Sequence, residues 1–189
     1  MRARLTVLSG PSGVGKGTVI AAVRRRHPQA WVSVSYTTRP PRAGEVEGVQ
    51  YHFASREEFG RMVDAGGFLE WAEFAGNLYG TPRQPVLDQL ARGVPAVLEI
   101  ELQGARQVKK AMPGARFVLL APPSWQELER RLVGRDTETA EAWQVRLDQA
   151  RVELAAEAEF DAVIINDDVG RAADQLVELL RSPLLTREG

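Results

Sequence analysis

The chain contains no cysteine, which excludes disulfides and thiolate metal sites and fits a reducing compartment. Histidine is nearly absent too. His27 and His52 are too few for a zinc site of their own and read as surface or structural residues. The stretch before Gly10 is too short for a signal peptide or a membrane span, so the chain reads as soluble and cytoplasmic with no membrane partner. Neither sign of charge is in excess. A formal net charge of −1 gives no global pointer to a nucleic-acid partner. Lysine is scarce, with Lys16, Lys109 and Lys110 set against 21 arginines, so the position of each lysine is informative.

What is present is enough for one folded unit with a substantial core: 189 residues, 44% of them hydrophobic. There is no internal repeat. Short apolar runs alternate with helical patterns, as in an α/β protein whose parallel sheet is covered by helices. Core strands are predicted at 4–9, 95–101, 116–121 and 161–165, nearly continuous in apolar character and so buried on both faces. Helices are predicted at 16–26, 102–112, 124–133 and 170–181. In the last of these Ala173, Leu176, Val177 and Leu180 form one stripe. Two stretches break the rhythm. Residues 35–83, rich in glycine, proline and aromatics, read as an inserted β-rich subdomain. Residues 134–158, charged and helical, read as a solvated helix pair or a mobile flap.

Residues 9–18, SGPSGVGKGT, follow the first strand and open a helix. In that setting successive backbone N–H groups and the helix N-terminus converge on an anion, and Lys16 supplies an ammonium for β- and γ-phosphates. The loop residues Gly10, Pro11, Ser12, Gly13, Val14, Gly15, Lys16, Gly17 and Thr18 are therefore the candidate ATP-phosphate site. Gly17 stands where such loops usually carry a hydroxyl for Mg²⁺. G-K-G-T resembles the loop of nucleoside monophosphate kinases, where the ion is held mainly by phosphate oxygens and water.

In 33–53, SVSYTTRPPRAGEVEGVQYHF, Arg39 and Arg42 flank Pro40-Pro41. A polyproline II backbone projects both guanidinium forks from one side, which suits a grip on phosphate. Tyr51 and Tyr79 add phenolic donors or pack as half-buried rings.

These residues, together with FLEWAEFAGNLYGTP (68–82), GPSGVGKGT, GRDTET and INDD, resemble the guanylate kinase family, in order, from about residue 5 to 180. The resemblance implies an ATP:GMP phosphotransferase with Mg²⁺ as cofactor and ATP and GMP (and dGMP) as substrates. It implies a P-loop kinase core in 1–34 and 84–189, a GMP-binding subdomain in 35–83 and a lid in 134–158. It places Ser35, Arg39, Arg42, Tyr51, Glu70, Tyr79 and Thr81 around GMP, with the arginines and tyrosines on its phosphate. Glu70 would accept from guanine N1–H and N2–H while Ser35 or Thr81 donates to O6, a pattern that adenine mismatches. The family's acid-I-D-x-Q-G appears as Glu99-Ile100-Glu101-Leu102-Gln103-Gly104. Glu101, one methylene longer than the usual Asp, would meet the guanine amino edge. Glu99 would face the metal and phosphates.

Arg131, Arg135 and Arg146 match the family's lid positions and, with Lys16, are the candidate catalytic groups; closure would bring positive charge to the transferred phosphoryl and exclude water. Asp136 replaces a glycine often found after the arginine. By the same resemblance Asn166 meets adenine, and Asp168 suits a helix N-cap regardless of ligand. The competing readings are an inactive binding module and a small kinase for another phosphorylated acceptor. The donor machinery of Gly15, Lys16, Arg131, Arg135 and Arg146 speaks against the first, and the guanine-edge set of Glu70, Ser35 and Thr81 against the second. Oligomeric state stays open between monomer and homodimer.

Overall fold

The structure is a computed structural model and describes residues 4–133 and 140–182. In chain order it contains β1 (Leu5–Ser9), α1 (Lys16–Arg26), β2 (Trp31–Val32), β3 (Ser35–Thr37), β4 (Tyr51–Phe53), α2 (Arg56–Asp64), β5 (Phe68–Phe74), β6 (Asn77–Pro82) and α3 (Arg83–Ala91). There follow β7 (Ala96–Glu99), α4 (Leu102–Ala111), β8 (Arg116–Ala121), α5 (Trp125–Val133), α6 (Ala140–Ala155), a 3₁₀ turn (Glu157–Glu159), β9 (Ala162–Ile165) and α7 (Val169–Arg181).

A five-stranded parallel sheet in the order β2-β7-β1-β8-β9 forms the centre. Strand alternation explains its two covered faces. Leu8, Val97, Val118 and Leu120 pack on one side, with α1, α5, α6 and α7. Leu5, Val7, Leu98, Phe117 and Leu119 pack on the other, beneath α3 and α4. Because both faces are buried at β1, β7 and β8, these strands read in sequence as unbroken apolar runs. At β9 the expected burial on both faces fails: it is the edge strand, Ile164 points into the core, and Val163 and Ile165 are exposed. A second sheet, β4-β3-β6-β5, is formed wholly within residues 35–82. It is antiparallel except for β3 with β4. Its helix α2 starts at a capping box in which Ser55 and Glu58 satisfy each other's backbone N–H groups.

Two further expectations need correction. The strand predicted at 95–101 ends at Glu99, because Glu101 turns out of the strand to cap α4 by accepting from the N–H groups of Gln103 (2.7 Å) and Gly104 (2.5 Å). Residues 99 and 101 therefore do not share a strand face. In the charged stretch at 134–158, residues 134–139 lie outside the described residues, and α6 is not a merely solvated helix. Within α6, Leu147 and Ala150 are buried in the cluster that holds Leu128 and Leu132. With the partly buried Trp143 and Leu154 packed against the same cluster, they seat a helix whose other faces are charged.

At the C-terminal end, Asp168 caps α7 by accepting from Arg171 N at 2.8 Å. The expected stripe of Ala173, Leu176, Val177 and Leu180 is buried. Leu176 is fully enclosed. Leu176→Ala is expected to lower unfolding free energy by about 3 kcal/mol, measured by urea denaturation.

Candidate active site

The loop after β1 closes only because its glycines reach backbone conformations other residues avoid. Gly13 and Gly15 have φ of +79° and +97°, and Gly15 sits left-handed at the N-cap of α1. At Gly10 a Cβ would come within 2.3 Å of the Leu120 carbonyl oxygen, so the loop rests directly on β8. No acidic residue occupies the first turn of α1 and no side chain caps it, which leaves the helix N-terminus for an incoming anion.

The loop is braced from behind. Asn166 Nδ2 donates to Val14 O at 2.8 Å. Arg131, on α5, donates to the carbonyls of Val14 and Asn166, both at 3.3 Å, while Glu127 accepts from its Nε at 2.8 Å. Asn166, expected beside adenine, is thus buried against the P-loop, with its Oδ1 unpartnered. Arg146 lies on α6, whereas Arg135 falls outside the described residues.

Lys16 donates to the carbonyls of Gly10 and Pro11. Burial lowers its pKa, and the charges of Glu99, Glu153 and Glu101 oppose that. Glu99 stands at the end of β7, where ligands collect on parallel sheets. Burial raises its pKa; Lys16 and Arg24 counter the rise. A Cβ on Gly17 would lie 3.7 Å from Glu99 Oε1, so this carboxylate occupies the space beside the missing hydroxyl. Thr18 is exposed on α1.

The second sheet brings the phosphate-gripping candidates together. The Arg39 guanidinium lies 5.5 Å from the Tyr51 ring centroid, and the Tyr51 and Tyr79 rings are 5.9 Å apart. Burial and the charge of Glu99 push the Tyr51 phenol up to about 12, so it remains a neutral donor. Glu45, which the sequence reading passed over, joins the two arginine positions. Its carboxylate accepts from Arg39 at 2.8 Å and from the Arg42 backbone N–H at 2.7 Å. Ser35 opens β3 and pairs with Tyr51 in register.

Glu70 is buried on β5 beside a register shift between Phe68 and Glu70. Its Oε1 accepts from Thr81 Oγ1 at 2.5 Å and from Thr81 N at 3.1 Å. Its Oε2 lies 2.5 Å from where a Cβ on Gly104 would be, so only glycine lets the start of α4 approach it. Gln107 fastens the same joint, donating to Trp71 O at 2.7 Å and accepting from Trp71 N at 3.3 Å. Burial, with Glu101 adding to it, raises the Glu70 pKa to about 7, against the pull of Thr81.

A phosphate loop at the head of a parallel sheet, facing a second sheet that carries arginines, tyrosines and a buried carboxylate, defines a P-loop kinase of a small phosphorylated acceptor. The comparisons with known proteins name the acceptor. The guanylate kinase family model matches residues 2–183. The guanylate kinase of Frankia casuarinae is 68% identical over 93% of this chain and 96% of its own length. That of Thermobifida fusca is 60% identical over 95% of this chain and 92% of its own. The crystal structure of guanylate kinase from Anaplasma phagocytophilum superposes with a TM-score of 0.80 at 34% identity, over 98% of this chain and 88% of that one. The chain belongs to the guanylate kinase family, enzymes that phosphorylate GMP to GDP with ATP.

The raised pKa of Glu70 has a definite sign. The folded state holds its proton more tightly than the unfolded chain, so this group's stability contribution is present below its ordinary pKa of 4.5 and is lost as pH rises through about 7. The loss is on the order of 3 kcal/mol. Glu70→Gln is expected to melt higher than the parent near pH 8 and about equally near pH 5. Its KM for GMP should rise by about tenfold or more with KM for ATP held within about twofold. An equal rise in both would place Glu70 outside the acceptor pocket.

Proposed function

We propose that the two substrates meet end to end at Glu99. One observation carries this: Glu99, at the end of β7, lies beside Gly17 of the P-loop, while two residues on Glu101 caps α4, whose Gly104 abuts Glu70, so one short stretch of chain borders both half-sites. ATP lies with its phosphates on the amides of residues 10–18 and on Lys16, its base toward Asn166. GMP lies in the second sheet, its phosphate on Arg39, Arg42, Tyr51 and Tyr79. Its guanine edge is read by Glu70, Thr81, Ser35 and Glu101. In this reading the GMP phosphate displaces the Glu45 carboxylate from Arg39 or shares the fork with it.

An oxygen of the GMP phosphate attacks the γ-phosphorus in line, a new P–O bond forms, and ADP departs with the bridging oxygen. Lys16, Arg131, Arg135 and Arg146 hold the charge of the equatorial oxygens; little covalent work falls to the protein. By the family resemblance a lid within 134–158, of which 134–139 lie outside the described residues, closes over the cleft and excludes water. Glu99, beside Gly17, fits an acceptor for water bound to Mg²⁺, with the ion itself held by phosphates. When bound, such an ion would supply positive charge to offset that of the transferring phosphates. Among the described residues no helix is long and apolar enough to cross a membrane, and with the cysteine-free composition we place the enzyme in the cytoplasm.

In a coupled assay GMP should be consumed far faster than AMP, UMP or CMP. Lys16→Met should lower kcat by roughly a thousandfold with the circular dichroism spectrum unchanged. A fully active Lys16→Met protein would remove Lys16 from the mechanism.

A further inference from the structure

A buried carboxylate with its hydrogen bonds unmade is costly to a fold, and α6 carries one. Glu153 is 5% exposed. Its Oε2 has no hydrogen-bond partner, and its Oε1 receives a long 3.4 Å approach from Gln149 Nε2, one turn earlier. Packing alone does not require the charge, since Leu147 and Ala150 already seat this helix in the core. Val14 of the P-loop lies in the same buried cluster as Leu147 and Ala150, so this helix packs beside the loop. Burial raises the Glu153 pKa, while the Lys16 ammonium and the Ser12 amide of the P-loop favour the ionised form. Lys16 in turn feels Glu153 as its second-largest carboxylate influence, after Glu99.

The same helix carries Arg146, seven residues before Glu153, hence two turns away on one face and about 10 Å along the axis. An anchor at one end of a rigid helix fixes the other end. A misplacement of about 1 Å near reacting atoms costs on the order of a hundredfold in rate.

We propose that Glu153 is a positioning residue for phosphoryl transfer: facing Ser12 and Lys16, it docks α6 on the P-loop and so sets where Arg146 stands over the cleft. The inference rests on the reading of Lys16 and Arg146 given above. It accounts for a carboxylate that the fold would be more stable without.

Glu153→Gln keeps the shape and removes the charge. The variant is expected to melt no lower than the parent and to bind ADP and GMP within about twofold of it, while kcat falls by roughly tenfold or more. Glu153→Asp, which keeps the charge on a shorter arm, should lie between the two. A Gln variant with kcat within about twofold of the parent overturns the proposal. So does a loss of kcat accompanied by a lower melting temperature or weaker binding of both nucleotides, which marks a purely structural role. An Asp variant no faster than Gln also contradicts docking through charge. Lys16→Met and Arg146→Ala are assayed alongside. If either keeps the parental kcat, the underlying reading of the site fails, and that failure is separate from the Glu153 result.

Discussion

One half-buried ammonium sets the terms for the rest of this structure. Burial at the head of α1 makes the charge on Lys16 costly, and Glu99, Glu153 and Glu101 offset that cost. They come from the end of β7, from α6 and from the cap of α4, three elements that meet only in the folded protein. The ammonium donates to its own loop carbonyls, at Gly10 and Pro11. Carbonyl oxygens are neutral, so a phosphate can draw the ammonium away from them at modest cost. The carboxylates keep it charged, and the loop keeps it close.

The acceptor side shows a related compromise between stability and use. Glu70 is held in a dry joint between β5 and α4, where the bare backbone of Gly104 makes room for it and Glu101 adds a second negative charge nearby. The two donors of Thr81 offset part of that cost. A carboxylate placed this way is poorly satisfied by the protein and correspondingly receptive to donors from a ligand, as guanine N1–H and N2–H would be. Active sites commonly carry such perturbed groups because the ligand completes the hydrogen bonding that the fold leaves open.

Much of the fold could be read from the chain because its signals are local. The strand at 116–121 and the helix at 16–26 fall where apolar runs and the glycine loop placed them. The Asp168 cap was legible for the same reason. What escaped was long-range. The strand before Glu101 was read too long because capping depends on how the chain turns, and apolar content does not report that. In α6 the inward residues, Leu147 and Ala150 with Trp143 and Leu154, are diluted by charge, so its seat in the core was hidden. Glu45 and Glu153 gave no local signal, since a glutamate near an arginine or on a charged helix resembles any solvated carboxylate until the partner is brought up to it. For the site itself, the motifs grouped the residues, and the structure adds which of them touch: Arg39, Tyr51 and Tyr79 around one place, Glu70 with Thr81 at another.

The account stands on two anionic nucleotides sharing one cleft, with positive charge and main-chain amides between them and Glu99 at their meeting point. Calorimetric titration of GMP into protein saturated with Mg²⁺ and a non-transferable ATP analogue tests this directly. The account predicts that GMP binds the loaded protein at one-to-one stoichiometry, with affinity no weaker than for the empty protein. Mutual exclusion, in which GMP binding weakens in proportion to the analogue present, would contradict it.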